Sequence, residues 1–238
     1  MPRLDVLVTK NGFAESRERA QALILAGKVK VAGETERRPG RTVKDDAAIS
    51  VESGPDFASR GALKLGPALD HFRVEPHGRV CADIGASTGG FTDVLLRRGA
   101  AKVYAIDVGR GLIHWRLRQD PRVVVIERVN ARDLDAFAEP ISLMVVDVSF
   151  ISLEKVLPAL RRAAPEAEVV ALFKPQFEVG RVDVGKGGIV RDPVVVESAL
   201  ARFRAWCRGN GYEVMAEVAS EVTGAQGNQE YLFHLRPL

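Results

Sequence analysis

From Val80 onward, short apolar runs recur along the chain, and most stop abruptly on a charged residue. Val80-Cys81-Ala82 stops at Asp83, residues 102–106 at Asp107, Leu143-Met144-Val145-Val146 at Asp147, and Val169-Val170-Ala171-Leu172-Phe173 at Lys174. A further run covers 123–126. Runs of this length with no polar alternation read as strands buried on both faces. Helices are expected over 90–98 and 193–210, and 213–221 with 231–235 reads as a closing pair of strands. Strand-helix alternation of this kind specifies an α/β fold with a doubly wound, mostly parallel sheet. Such a sheet binds ligands outside the carboxyl ends of its strands, which is where these charged residues fall.

The first 50 or so residues follow a different pattern. Leu4, Leu7 and Val8 recur at helical spacing before Asn11-Gly12. Ser16 stands where an N-cap belongs, ahead of a second helix carrying Ala20, Leu23 and Ile24 and ending at Gly27. Val29 and Val31 alternate with lysines as a short strand, Gly33 turns the chain, and a second strand covers 48–51. This is a small α+β unit. Boundaries are expected at 1–56 for this unit, 57–64 for a linker and 65–238 for the α/β domain.

Of the 238 residues, 46% are hydrophobic and 27% charged, with a formal net charge of +3. These values suit a globular protein and are compatible with a nucleic-acid partner without requiring one. The cysteines, Cys81 and Cys207, form no CxxC pair, so neither a disulfide framework nor a metal site is expected. No apolar run reaches the roughly 18 residues of a membrane span, and the N-terminus lacks a secretory pattern. A cytoplasmic protein with no membrane partner is expected.

The segment Asp83-Ile84-Gly85-Ala86-Ser87-Thr88-Gly89-Gly90-Phe91-Thr92 joins the first strand to a helix. A ligand at that place needs a tight turn, close backbone approach and free amides at a helix N-terminus, and Gly85, Gly89 and Gly90 allow all three. The GxxxGG spacing departs from the GxGxxG of dinucleotide sites, and no lysine follows as in a phosphate-binding P-loop. Asp107, at the end of the next strand, can hold a ribose hydroxyl pair. A nucleoside-like cofactor follows, held by Asp83, by Gly85, Ala86, Ser87, Thr88, Gly89, Gly90, Phe91 and Thr92, and by Asp107, Val108, Asn130, Ala131 and Asp147.

Two lysines and two carboxylates stand out as candidate reacting groups. Asp147 and Lys174 end strands, Glu230 immediately precedes one, and Lys64 lies where the two units join. Singly, each reads as a charge at the solvent boundary; together, near one cofactor mouth, they suggest a polar reaction centre.

The motifs DIGASTGGFTD, FKPQFEVGR, GKGGIVRDP and GNQEYLF together resemble the TlyA family, ribosomal RNA 2′-O-methyltransferases sometimes called hemolysins. The N-terminal unit resembles an S4 RNA-binding domain, and the rest resembles the Rossmann-like FtsJ/RrmJ class I methyltransferase fold. The resemblance covers nearly the whole chain. It implies S-adenosylmethionine as cofactor and a Lys64-Asp147-Lys174-Glu230 tetrad acting on a ribose 2′-hydroxyl, with cytidine of ribosomal RNA or ribosomal subunits as substrate. Small departures occur at Phe57-Ala58-Ser59-Arg60, at Leu63 and at Leu112-Ile113. Lys174 would serve either as the base that takes the hydroxyl proton, the role the family analogy favours, or as a cation that stabilises the developing alkoxide.

For RNA, the expected contacts are Arg3, Arg17, Arg19, Lys28 and Lys30 in the small unit and Arg60, Arg116 and Arg118 beyond it. Residues 97–132 carry nine Lys or Arg against three acids. Within that stretch, Trp115 reads as a core anchor or as a stacking surface for a base, the former preferred. Two other functions compete with RNA methylation: a ribosome-binding module whose transferase domain no longer turns over, and a membrane-active hemolysin. An intact tetrad opposes the first, and a liposome-leakage assay discriminates the second.

Overall fold

The computed structural model describes residues 1–14, 16–51 and 57–238, with the side chain of Arg19 also outside the description. The chain divides into two compact units, Met1–Asp56 and Phe57–Leu238.

In the smaller unit, helix α1 (Leu4–Lys10) and helix α2 (Arg17–Leu25) pack on a three-stranded antiparallel sheet of β1 (Val29–Val31), β2 (Glu34–Glu36) and β3 (Ile49–Val51), in the order β2-β1-β3. Leu4, Leu7, Val8, Ala20, Ile24 and Val29 are buried together, as the helical and strand periodicities require. Strand β2 was not expected, because Glu-Thr-Glu carries no apolar signal. It forms because Ala32 and Gly33 both adopt positive φ (52° and 85°) in a two-residue turn, which returns the chain antiparallel to β1.

The larger unit is built on a seven-stranded sheet. Its strands are β4 (Val80–Ile84), β5 (Lys102–Asp107), β6 (Val123–Glu127), β7 (Leu143–Val146), β8 (Glu168–Phe173), β9 (Tyr212–Ala219) and β10 (Tyr231–Pro237), in the order β6-β5-β4-β7-β8-β10-β9. The first five in that order run parallel, and β10 pairs antiparallel with both β8 and β9. Its helices are α3 (Ala62–Phe72), α4 (Gly90–Arg97), α5 (Trp115–Arg118), α6 (Leu153–Ala163), α7 (Pro175–Glu178) and α8 (Pro193–Gly209). Alternate residues of each strand enter two apolar layers: Ala82, Ile84, Met144 and Val146 face one, and Cys81, Val103, Leu143 and Val145 the other. That two-sided burial explains the unbroken apolar runs.

Helices α3 and α6 went unread in the sequence. Each contains a proline (Pro67, Pro158), a residue that normally marks a helix boundary. Burial of Leu65, Leu69 and Phe72 from α3, and of Val156, Leu157 and Leu160 from α6, stabilises them instead. The stretch 57–64, expected as a linker, lies within the larger unit. The Ala58 N–H donates to Asp93 Oδ2 at 2.9 Å, the Arg97 guanidinium lies 4.7 Å from the centre of the Phe57 ring, and residues 62–64 open α3. Among the described residues, no helix is long and apolar enough to cross a membrane.

Candidate active site

The strand order reverses between β4 and β7, so their carboxyl ends flank a crevice. Gly85 follows β4 and Asp147 follows β7, and the Asp147 N–H donates to the Ile84 carbonyl at 2.8 Å. Gly85 has φ +85°, and a Cβ there would lie 2.5 Å from the Asp147 carbonyl oxygen. Only glycine lets the chain turn this close to its neighbour. Gly90, the first residue of α4, is similarly crowded by Ser59.

Two clefts meet at Gly85. The smaller, about 260 Å³, is lined by Arg60, Lys64, Asp83, Ala86, Ser87 and Asp147 among others. The larger, about 490 Å³, is lined by Asp107, Val108, Asn130, Ala131, Ser149 and Phe177 among others. Asp107 Oδ2 accepts the Ser87 N–H (2.8 Å) and Oδ1 the Gly109 N–H (2.7 Å), which fixes the carboxylate at the end of β5. Gly89 and Thr92, both expected to touch a cofactor, line neither cleft. Gly89 instead lies against Leu117 and Ile113, and Thr92 donates from N–H (2.8 Å) and Oγ1 (2.6 Å) to Asp83 Oδ2.

The four candidate reacting groups form two ion pairs at this crevice. Lys64 Nζ lies 2.6 Å from Glu230 Oε2, and Lys174 Nζ lies 2.5 Å from Asp147 Oδ1. Lys64 and Asp147 line the smaller cleft, whereas Lys174 and Glu230 are buried behind them, 7% and 2% exposed. Lys174 Nζ also donates to Ser149 Oγ at 2.8 Å and sits 5.9 Å from the centre of the Phe177 ring. Because Ser149 and Phe177 line the larger cleft, this amine stands between the two. Ser149 was not singled out in the sequence; its signal is a hydroxyl two positions beyond a strand-end carboxylate. Residues 222–225 were also missed: Val222, Thr223 and Ala225 wall the smaller cleft, and Gly224 is held so close to Glu230 that a Cβ would overlap its carboxylate.

The FtsJ-like methyltransferase family matches residues 57–237, and the S4 domain matches residues 2–49. The chain belongs to the FtsJ-like methyltransferase family. The relatives of this FtsJ-like chain include the 16S/23S rRNA (cytidine-2'-O)-methyltransferase TlyA of Mycobacterium tuberculosis, 46% identical over 98% of the chain and 89% of the relative. Hemolysin A of Brachyspira hyodysenteriae is 43% identical over 98% of each. A solved structure from Streptococcus thermophilus, named as a hemolysin, superposes with a TM-score of 0.78 at 42% identity, covering 99% of this chain and 88% of that one. The doubly wound reading of the sequence, with a small S4 unit ahead of it, holds.

The crevice contains a buried carboxyl group that the fold does not fully partner. Asp83 is fully buried, and its Oδ1 has no hydrogen-bond partner among the described residues, although the residue lines the smaller cleft. Burial, reinforced by the nearby Asp147 and Asp107 carboxylates, pushes Asp83 up to about 7. Since an unfolded Asp titrates near ~4, the folded chain keeps a proton that the unfolded chain has lost between these values. The contribution of Asp83 to stability therefore falls as pH rises from about 4 to 7. A cation bound beside Asp83 favours the ionised form. S-adenosylmethionine affinity is accordingly expected to rise about tenfold between roughly pH 6 and 8, and Asp83→Asn to bind weakly with no such dependence. Calorimetric titration across that range checks both, and a flat profile for the unmodified chain would remove Asp83 from the cofactor site.

The basic stretch 97–132 is less available than its composition suggests. Arg97 and Arg116 pair with Asp93, Arg98 with Asp70, Lys102 with Glu139, Arg118 with Glu127 and Arg122 with Asp120. Arg116 and Arg118, expected to meet RNA, thus have carboxylate partners within the fold. Trp115 is 57% exposed, so it is no core anchor; Leu117 fills that place. Arg60 is exposed at the mouth of the smaller cleft. In the small unit Lys28 is exposed, Lys30 lies on β1, and Arg3 and Arg17 both contact Asp5. The side chain of Arg19 lies outside the described residues.

Proposed function

We propose that this chain transfers a methyl group from S-adenosylmethionine to the ribose 2′-hydroxyl of a cytidine in ribosomal RNA, in the cytoplasm. The observation that carries this reading is the pairing of Lys64 with Glu230 and Lys174 with Asp147 at the β4–β7 crevice, in a chain that matches both an FtsJ-like methyltransferase and an S4 domain. Its relative from Mycobacterium tuberculosis carries that substrate in its name. Asp107, Asn130 and Ala131 would hold the adenosine in the larger cleft, and the Gly85–Ser87 turn with Asp83 would hold the amino-acid end. Bound there, S-adenosylmethionine supplies a methyl group on a positively charged sulfur.

The protein's task is to bring a weak oxygen nucleophile into line with that carbon. Alignment of this kind supplies roughly 7–11 kcal/mol of a barrier. Lys174 Nζ donates to Ser149 Oγ and lies in an ion pair against Asp147 Oδ1, which leaves a further direction for the 2′-oxygen. Asp147 orients the lysine, while Glu230 holds Lys64 at the cleft wall, where RNA arrives past Arg60. Buried ion pairs are weak contributors to stability, so two of them at a ligand crevice argue for chemistry.

The test is transfer from methyl-labelled cofactor to separated small and large ribosomal subunits, followed by mapping of the modified nucleotide. Label on a cytidine 2′-oxygen is the expected result. Label on a base, or on neither subunit, would sink the reading.

A further inference from the structure

Among the described residues of the smaller unit, two acids, Asp5 and Glu36, are buried beneath a cluster of arginines. Asp5 accepts from Arg3 Nε (3.1 Å) and Nη2 (3.0 Å), Arg17 Nε (3.0 Å), Gln21 Nε2 (2.7 Å) and the Val6 N–H (2.9 Å). Glu36 accepts from Arg38 Nε (3.0 Å) and Nη2 (3.2 Å), from Arg41 Nη1, and from the N–H groups of Arg37 and Arg38. The two clusters adjoin. Leu4 N–H donates to the Arg41 carbonyl (2.7 Å), Asp5 N–H to the Pro39 carbonyl (3.1 Å), and Val43 N–H to the Pro2 carbonyl (3.0 Å). A Cβ on Gly40 would stand 3.5 Å from Arg3 Nη2.

Among the described residues, four guanidiniums thus meet two carboxylates, a local surplus of two positive charges. The carboxylates are buried, while Arg3, Arg17 and Arg41 stay about half exposed and Arg38 more so. A network serving stability alone needs no surplus of cations, and apolar residues stabilise a core at least as well. Each guanidinium has five donors in a fixed fork, and the contacts to Asp5 and Glu36 use one or two nitrogens of each. The fork geometry matches phosphate. A free arginine must give up rotamer freedom to grip a phosphate, whereas one already held by a buried carboxylate has given it up on folding.

We infer that Asp5 and Glu36 are positioning residues that hold Arg3, Arg17, Arg38 and Arg41 as a pre-ordered surface for the phosphates of the RNA substrate. The inference rests on the RNA reading above. Arg38 and Arg41 carry it as much as Arg3 and Arg17, although only the latter pair was expected from sequence.

The test turns on a sign. If these charges act only through the net field, removing an anion next to four cations tightens RNA binding. Pre-ordering predicts the reverse. Full-length Asp5→Asn and Glu36→Gln are compared with the unmodified chain for binding to the ribosomal subunit that it methylates, at several salt concentrations, with thermal melting of each. Glu36→Gln keeps a side-chain oxygen for the Arg37 and Arg38 N–H groups, so it decides the matter if Asp5→Asn fails to fold. Each folded variant is expected to bind RNA roughly tenfold more weakly, with the loss on KM for RNA and no change in cofactor affinity. Arg38→Ala with Arg41→Ala should reduce the salt slope by about 1.5. Equal or tighter binding by folded Glu36→Gln overturns the inference and leaves the methyltransferase reading standing. Absence of methyl transfer by the unmodified chain overturns that reading instead.

Discussion

Lys174→Ala is expected to lower the rate of methyl transfer by about 10²–10⁴-fold, the range found when a positioned proton-transfer group is removed. Cofactor affinity should stay within about threefold, because the turn at Gly85 and the carboxylates of Asp83 and Asp107 remain in place. The effect is large because Lys174 is the amine at the meeting of the two clefts, held by Asp147 at 2.5 Å and Ser149 at 2.8 Å. Its removal also leaves Asp147 without its ammonium partner. Single-turnover methylation with calorimetric titration of the cofactor measures both quantities, and near-normal turnover would falsify the assignment. Lys174→Arg then separates two roles. An arginine does not deprotonate, so a base would be lost as completely as in the alanine variant, whereas an alkoxide-stabilising cation would retain part of the rate.

The second large effect is at Gly85. Alanine there meets two penalties at once. Its φ of +85° disfavours any side chain by roughly 1–3 kcal/mol, and its Cβ would press on the Asp147 carbonyl at 2.5 Å. Neither backbone can retreat easily, because the Asp147 N–H is bonded to the Ile84 carbonyl at the end of the adjacent parallel strand. Overpacking of this kind adds about 1–3 kcal/mol. Gly85→Ala is therefore expected to lose roughly 2–6 kcal/mol of stability and at least about 100-fold in cofactor affinity. Gly78→Ala is the control, since Gly78 has φ +71° with nothing within 4 Å of a Cβ. It should show backbone strain alone and bind cofactor normally. Matching melting temperatures and affinities for the two variants would rule out the close approach at Gly85.

Strand ends and the glycine turn were legible in the sequence because both are local. A strand buried on two faces must be apolar along its length, so Asp83, Asp107, Asp147 and Lys174 stand out as charged residues at or beside the carboxyl ends of such runs. A turn that brings backbone within 2.5 Å of where a Cβ would sit excludes every residue but glycine. These constraints act within a few residues of one another and leave a direct imprint on residue type. They determined the doubly wound fold and the glycine turn after β4, and they brought Asp147 and Lys174 forward as candidate reacting groups.

The tertiary structure decided which charges meet. Lys64 and Glu230 are 166 positions apart, and no local pattern says that this lysine pairs with that carboxylate while Lys174 takes Asp147. The same holds in reverse for the basic stretch 97–132, whose composition suggests a nucleic-acid surface. Folding brings Asp70, Asp93 and Glu139 against it and neutralises much of its charge. Exposed Trp115 and the buried acids beneath Arg3 and Arg41 were hidden for the same reason. Charge is read by type in a sequence, but its availability depends on distance. Distance between remote residues is set by how the sheet is wound and which loops it brings to one edge.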